Sequence, residues 1–173
     1  MSIIATDLDG TIFKGDTLID DVKEGLEKIL DSGIDIYYTT NNSSQSPNEI
    51  KSKLENLLKV NIDISKIISP LVIFQNLYQG IQKKLYIYGS DNLKKYIKKI
   101  NMHITSLENS ELILIGRKEE NNNSEINQVI KNVELGKNIL CLNKDLTFPT
   151  EYGEEPGNGA IVKIIEDKLS INI

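Results

Sequence analysis

Short apolar runs alternate with longer amphipathic stretches along the chain. The runs Ile3–Thr6, Ile34–Thr40 and Leu85–Tyr88 are rich in β-branched and aromatic residues and predict strands. Leu112–Ile115 and Ile139–Leu142 have the same character. Because segments with helical periodicity separate these runs, the pattern predicts an α/β fold with parallel strands.

Five segments repeat apolar residues at the three- to four-residue spacing of a helix: 22–30, 50–58, 93–100, 126–133 and 161–169. Ser46, Pro47 and Glu49 predict the start of the second helix through an N-cap, a proline in the first turn and a capping box. Residues 147–159 contain two prolines and three glycines. They predict an irregular connection that could serve as a hinge.

Composition narrows the class of protein. The chain has 173 residues, is 39% hydrophobic and carries a formal net charge of -5. An acidic chain is a poor partner for nucleic acid, but it can still hold small phosphate esters through local dipoles and a metal ion. Cys141 is the single cysteine, so no internal disulfide is expected. We see no signal peptide and no membrane span, and we expect a cytoplasmic protein.

The segment Asp7-Leu8-Asp9-Gly10 directly follows the first predicted strand. Open α/β sheets bind ligands at the carboxyl ends of their strands, which is where Asp7 falls. One carboxylate can attack phosphorus while the second acts as general acid and base. A dianionic phosphate would repel both carboxylates, so a cation is needed, and oxygen ligands favour Mg²⁺. Asp and Gly are also common in turns, and the segment alone is equally compatible with a simple turn.

A second polar segment, Thr40-Asn41-Asn42-Ser43-Ser44, follows the strand that starts at Ile34. If this strand lies beside the first, Thr40 and Asn41 emerge next to Asp7. Their hydroxyl, amide and backbone N–H groups are suitable donors for a phosphate. The segment can equally be a polar loop that leads into the following helix, and the two interpretations are compatible.

Taken together, these segments resemble the haloacid dehalogenase-like phosphatase superfamily, and more narrowly its subfamily IIA. That branch contains nucleotide and p-nitrophenyl phosphatases, phosphoglycolate phosphatase and pyridoxal phosphate phosphatase. The resemblance covers essentially the whole chain, because five later segments also follow the order of the branch: 84–89 (KLYIYG), 111–116 (ELILIG), 142–145 (LNKD), 147–150 (TFPT) and 156–160 (PGNGA).

The resemblance implies a partial Rossmann-like core with an inserted α/β cap. Residues 1–70 would form the N-terminal part of the core, 71–155 the cap, and 156–173 a helix that returns toward the C-terminal core. It also implies Mg²⁺ as cofactor and a small phosphorylated metabolite as substrate, with no nucleic acid or membrane partner, and it leaves a homo-oligomer open.

The same resemblance implies roles for four residues. Asp7 would be the nucleophile and a magnesium ligand. Asp9 would be the general acid and base, and would bind the metal through its backbone carbonyl. Thr40 and Asn41 would hold the transferred phosphoryl group.

Two departures from the family pattern matter. Relatives continue into a GKP-type segment and a GDxxxTD-type acidic motif, whereas this sequence ends at Ile173. The departure leaves open whether the short chain is active, and it supports an alternative in which the chain is a catalytically silent binding or dimerising module. The later strands of the core sheet would then be missing, so the strands that start at Ile3 and Ile34 are expected to have exposed neighbouring positions, and such open edges invite association.

The second departure lies at Gly116-Arg117-Lys118. This segment lacks the acidic residue that relatives often carry there, which leaves the substrate class open.

Overall fold

The computed structural model describes residues 2–118, 120–150 and 153–173. The chain divides into two compact units, Met1–Asn76 and Leu77–Ile173. Each unit contains its own parallel sheet with helices, so the predicted α/β fold class is confirmed.

The first unit is built on a three-stranded parallel sheet with the order β1-β4-β5. Its elements are β1 (Ile3–Asp7), β2 (Phe13–Lys14), β3 (Thr17–Leu18), α1 (Val22–Asp31), β4 (Asp35–Thr39), α2 (Pro47–Leu58), a 3-10 turn (Ile64–Lys66), β5 (Ile67–Ile68) and α3 (Pro70–Tyr78), which runs across the boundary between the units. Strands β2 and β3 form a short antiparallel hairpin between β1 and α1.

Helix α2 begins as the sequence predicts. The Ser46 hydroxyl accepts a hydrogen bond from the Glu49 backbone N–H, and the Glu49 carboxylate accepts one from the Ser46 N–H at 2.7 Å. This reciprocal pair satisfies two donors that the first turn would otherwise leave unpaired. Pro47 occupies the first turn, where its missing N–H costs nothing. The helix therefore starts at a defined point just after the polar Thr40–Ser44 segment.

The core of the first unit lies between the sheet and α2. It contains ten buried side chains: Leu8, Ile12, Phe13, Ile36, Tyr38, Ile50, Leu54, Leu58, Ile62 and Ile67. The sequence predicts that the strands starting at Ile3 and Ile34 have exposed edges in the sheet. This is confirmed for β1, which lies at the edge of the described sheet and whose Ile3 is 60% exposed. It is wrong for the strand that follows Ile34, because β4 lies between β1 and β5 and has a partner on each side.

The second unit is built on a four-stranded parallel sheet with the order β7-β6-β8-β9. Its elements are β6 (Lys84–Tyr88), α4 (Asp91–Lys99), β7 (His103–Ile104), β8 (Leu112–Ile115), α5 (Asn123–Glu134), β9 (Asn138–Cys141), β10 (Thr147–Thr150), β11 (Gly153–Pro156) and α6 (Asn158–Leu169). Every residue of β8 is buried, as expected for a parallel strand covered on both faces.

Helix α6 belongs to the core of the second unit. Its Ile161, Val162 and Ile165 are buried in one cluster with Ile113 and Ile115 of β8. The division of the sequence into a core segment 1–70, a cap 71–155 and a return helix 156–173 stays a prediction.

The prediction for residues 147–159 is wrong in part. Strands β10 and β11 form an antiparallel hairpin, in which Thr147 pairs with Pro156 and Thr150 with Gly153. Residues 151 and 152 lie outside the described residues. Prolines and glycines led to the prediction of an irregular segment, but a two-stranded hairpin has open edges that tolerate a residue without a backbone donor.

Candidate functional site

Parallel pairing of β1 with β4 brings the two polar segments of the sequence together. Asp7 and Thr39 are direct partners in the register, and the Thr39 hydroxyl donates to the Thr6 carbonyl oxygen at 3.0 Å. Both strands end at the same edge of the sheet. Asp7 is therefore exposed at the carboxyl edge, beside the residue that precedes Thr40.

In the turn after β1, Asp9 is exposed to solvent, whereas the apolar side chains on either side of it are buried. Leu8 and Ile12 are both 1% exposed, and the Leu8 carbonyl oxygen accepts a hydrogen bond from the Ile12 N–H at 2.9 Å. Gly10 has a φ of 84°, which a residue with a Cβ adopts only with strain. The buried anchors and this glycine leave Asp9 on the outside of the turn.

Thr40 links the two segments. Its hydroxyl donates to Oδ2 of Asp9 at 3.4 Å and accepts from the Asn42 N–H at 3.0 Å. The Thr40 backbone N–H donates to the Ile68 carbonyl oxygen at 3.0 Å. The prediction that this N–H is available to a phosphate is therefore wrong, because the backbone group serves the sheet and the hydroxyl is the donor that faces the site.

The loop that follows is braced by its own side chains. The Asn42 Oδ1 accepts from the backbone N–H of Ser44 at 2.8 Å and from its hydroxyl at 2.7 Å. Ser43 is 4% exposed, whereas Asn41 lies on the exposed side of the loop. The four residues named from the sequence thus fall on two neighbouring segments, with a direct contact between Asp9 and Thr40.

Electrostatics at this edge are set by four groups. Although Asp9 as a residue is exposed, its carboxyl group is partly withdrawn from solvent, and this desolvation raises its pKa above the usual 3.8. The positive charge of Lys53 lowers the pKa, the negative charge of Asp7 raises it, and the hydrogen bond from Thr40 lowers it. Desolvation is the largest effect, so the net change is upward.

Lys53, which lies on α2, is a further group at this edge and was not among the residues predicted from the sequence. Its Nζ is 4.2 Å from the centre of the Phe13 ring and 3.2 Å from Oδ1 of Asp16. The only signal in the sequence is its position three residues after Ile50, which places it at the border of the buried face of the helix. That position does not reveal which groups the ammonium reaches.

The donors at this edge fit a hard cation in part. Asp7 and Asp9 offer carboxylate oxygens, which Mg²⁺ prefers, and Mg²⁺ commonly keeps several waters. Among residues 2–118, 120–150 and 153–173, no group of three or more His, Cys, Asp or Glu side chains is arranged to hold a metal ion. Asp7 through its carboxylate, and Asp9 through its backbone carbonyl as the resemblance implies, would therefore supply only part of the ligands that a magnesium ion needs. Within the same residues, no helix is long and apolar enough to cross a membrane.

Fold and site together define an α/β protein with paired aspartates at the carboxyl edge of a parallel sheet. The chain belongs to the haloacid dehalogenase-like hydrolase family, whose model matches residues 4–103. The family resemblance seen in the sequence is thereby confirmed.

Several proteins that are similar to this chain carry the name of a phosphatase. The chain is 27% identical over 164 residues to an acid sugar phosphatase of Staphylococcus haemolyticus, and the match covers 92% of this chain and 61% of the relative. A p-nitrophenyl phosphatase from Archaeoglobus fulgidus shares the fold with a TM-score of 0.89 at 21% identity, covering 99% of this chain and 66% of that one. A mutant of a thermostable p-nitrophenylphosphatase from Bacillus stearothermophilus gives a TM-score of 0.79 at 25% identity, covering 99% of this chain and 67% of that one. The chain thus spans about three fifths of the length of the curated relative.

Proposed function

We propose that this protein is a phosphatase that hydrolyses a small phosphomonoester with the help of Mg²⁺. The observation that carries the proposal is the juxtaposition of Asp7, Asp9 and Thr40 at one edge of the first sheet. A nucleophilic carboxylate, a second carboxylate for proton transfer and a hydroxyl donor are the groups that such a reaction requires. Membership of the hydrolase family supports this assignment.

In the first half of the proposed reaction, a carboxylate oxygen of Asp7 attacks phosphorus and forms an aspartyl phosphate. The bond between phosphorus and the ester oxygen breaks, and protonated Asp9 gives its proton to the departing alkoxide. In the second half, Asp9 takes a proton from a water molecule whose oxygen attacks the phosphoryl group. The bond between phosphorus and the Asp7 oxygen breaks and inorganic phosphate leaves, so that Asp7 is again a carboxylate and Asp9 is again protonated.

Asp7 and Asp9 would hold the magnesium ion, which when bound would offset the negative charge of the phosphate and of the nucleophile. Thr40 would donate its hydroxyl to the phosphoryl group in place of Asp9, and Asn41 would contribute from the next position along the loop. A hydrogen-bond donor fixed before the reaction stabilises developing charge without further rearrangement.

The names of the relatives support a small phosphorylated metabolite as substrate, since one is an acid sugar phosphatase and others are p-nitrophenyl phosphatases. We assign residues 71–155 to a cap that selects the substrate and residues 156–173 to a helix that returns toward the core. The single cysteine, Cys141, supports a cytoplasmic location.

The direct test is Mg²⁺-dependent hydrolysis of p-nitrophenyl phosphate by the 173-residue chain and its Asp7→Asn variant. The proposal predicts that Asp7→Asn lowers kcat by roughly 10³-fold or more, because it removes the nucleophile. Asp31→Asn, which neutralises an exposed carboxylate at the end of α1, is the matched control and should hydrolyse at the wild-type rate. Turnover by Asp7→Asn close to that of wild type would refute the role given to Asp7.

A second candidate is a catalytically silent module that binds a ligand or dimerises. Two observations favour it: the described residues provide two carboxylates at the site, and the apolar β1 strand lies at an exposed edge. A folded wild-type chain that does not hydrolyse the ester but has a dimer mass by light scattering would support this candidate. Hydrolysis that chelator and Asp7→Asn both abolish would exclude it.

A further inference from the structure

Lys53 lies on α2 but makes its contacts with the β2–β3 hairpin. Its Nζ lies over the ring of Phe13, the first residue of β2, and close to the carboxylate of Asp16 in the turn between the two strands. The Lys53 side chain is only 22% exposed, so most of its stem is covered. One ammonium group thus contacts both the base and the tip of the hairpin.

The hairpin is continuous with the turn that carries Asp9. The Gly10 N–H donates to the Phe13 carbonyl oxygen at 2.8 Å, and Asp9 itself forms a bridge with Phe13. On the other side, the Ile19 N–H donates to the Ile12 carbonyl oxygen at 3.0 Å. Movement of the hairpin relative to α2 would therefore move the turn on which Asp9 lies.

Such a small hairpin needs an external anchor. Each strand has two residues, and an isolated two-stranded ribbon has little stability in water. The two contacts of Lys53 differ in strength. Asp16 has a side chain that is 98% exposed, where solvent weakens an ion pair, whereas Phe13 is 3% exposed and offers a fixed aromatic face.

We propose that Lys53 is a positioning residue of the candidate site: its ammonium group holds the β2–β3 hairpin against α2 and thereby fixes the turn that carries Asp9. The consequence for catalysis rests on the function proposed above, but the positioning itself does not. The contacts of Lys53 are with the hairpin, so its positioning effect reaches Asp9 through the backbone of residues 10–13. This effect is separate from the direct action of the Lys53 charge, which lowers the pKa of Asp9.

The test measures amide hydrogen exchange by NMR in the ligand-free chain and in three variants. Lys53→Met keeps the apolar stem and removes the charge, and Lys53→Arg keeps a cation that can stack on Phe13 and pair with Asp16. Lys23→Met removes a lysine from α1 whose nearest acidic partner, Glu27, is 3.9 Å away, and serves as the matched control. The hairpin reporters are the amides of Gly10 and Ile19, and the reference amides are those of β4.

We expect Lys53→Met to speed exchange at Gly10 and Ile19 about fivefold while exchange in β4 is unchanged. Loss of the cation–π contact and the ion pair of Lys53 should let the hairpin open locally without unfolding the sheet. Lys53→Arg should restore most of the protection, and Lys23→Met should match wild type. Unchanged exchange in Lys53→Met would overturn the proposal. An equal increase in β4 would also overturn it, because Lys53 would then support the unit as a whole.

A parallel Mg²⁺ titration, followed through the amide shifts of Asp7 and Asp9, separates this proposal from the proposed function. Lys53→Met also removes a positive charge that repels Mg²⁺, and this alone would strengthen binding. We expect the loosening of the turn to outweigh it, so that Lys53→Met weakens Mg²⁺ binding about threefold and Lys53→Arg restores it. Mg²⁺ binding by Lys53→Met that is equal to or tighter than that of wild type would refute the link to the site. If the wild-type chain itself shows no Mg²⁺-dependent shifts, the proposed function fails for this chain, while hydrogen exchange still decides the positioning role.

Discussion

The two parallel sheets of this chain contain similar apolar residues but protect them very differently. In the second unit, β8 lies between β6 and β9, and Ile113, Leu114 and Ile115 are each 0% exposed. In the first unit, β1 lies at an edge among the described residues, and Ile3 and Ile4 are exposed. Yet it is β1 that ends in the candidate nucleophile. A fully buried central strand in the second unit thus contrasts with an exposed edge strand in the first unit, and it is the edge strand that carries the candidate chemistry.

The largest expected effect tests this comparison directly. Leu114→Ala removes a side chain from the middle of the buried strand, and should lower the free energy of unfolding by about 3–5 kcal/mol because a cavity remains. Ile4→Ala is the matched change on β1 and should cost less than about 1 kcal/mol, because the side chain is already in contact with water. Urea unfolding of both variants measures the difference. Similar losses in the two variants would show that β1 is as well packed as β8.

A pair of glycine substitutions compares a tightly packed position in the second unit with an open position in the first. A Cβ at Gly159, at the start of α6, would overlap the Lys144 carbonyl oxygen and lie 2.9 Å from the carbonyl carbon of Asp145. Because these are backbone atoms of the same unit, Gly159→Ala should lower the free energy of unfolding by about 2–3 kcal/mol. Gly25→Ala, within α1, meets nothing within 4 Å and should raise it by about 0.5–1 kcal/mol. Denaturant unfolding that shows no loss of stability in Gly159→Ala would contradict the packing described for the second unit, and a loss in Gly25→Ala would contradict the open space described at α1.

A smaller effect depends on pH. Glu125 of α5 pairs with Lys118 and accepts a hydrogen bond from the Tyr86 hydroxyl at 2.7 Å. Partial burial acts to raise the pKa of Glu125, but the hydrogen bonds from Lys118 and Tyr86 and the charge of Lys118 outweigh it, so the net pKa lies below its ordinary 4.5. Glu125→Gln should therefore lower the free energy of unfolding by about 1–2 kcal/mol at pH 7.

The sign of the pH dependence follows from the lowered pKa. The stabilisation by Glu125 is fully present above the unfolded-state pKa, and is lost as pH falls through the lower folded-state pKa. The difference between wild type and Glu125→Gln should thus shrink on acidification below about pH 4.5. Glu134→Gln changes an exposed residue at the end of the same helix, and should leave the free energy of unfolding unchanged both at pH 7 and below about pH 4.5. A difference that grows on acidification would rule out this account of Glu125.

Much of this architecture could be predicted from the sequence because the signals were local. The five strand-like runs became β1, β4, β6, β8 and β9, and Ser46 with Glu49 marked the start of α2. The meeting of Asp7 with the Thr39–Thr40 segment followed from one assumption, that two parallel strands are neighbours. The roles of these residues in catalysis are a proposal that the arrangement supports.

Other features depend on tertiary contacts that leave little trace in the sequence. Strands β5 and β7 have two residues each, too few to show a periodicity. The β10–β11 hairpin contains prolines, which argue against a strand until its open edges are known. The contacts of Lys53 with Phe13 and Asp16 join residues that are 40 and 37 positions apart in the sequence, and depend on how the hairpin folds over α2.

The parallel pairing of β1 also bears on how the chain is synthesised. Ile3 pairs with Asp35, 32 residues later, so β1 emerges from the ribosome before its partner strand does, by the time needed to synthesise 32 residues. At a synthesis rate of ~5–20 residues per second, this interval lasts about 2–6 s. During that time the apolar residues at the start of the chain have no strand to pair with. The rate of translation, as well as the sequence, therefore sets how long this segment is available to other nascent chains.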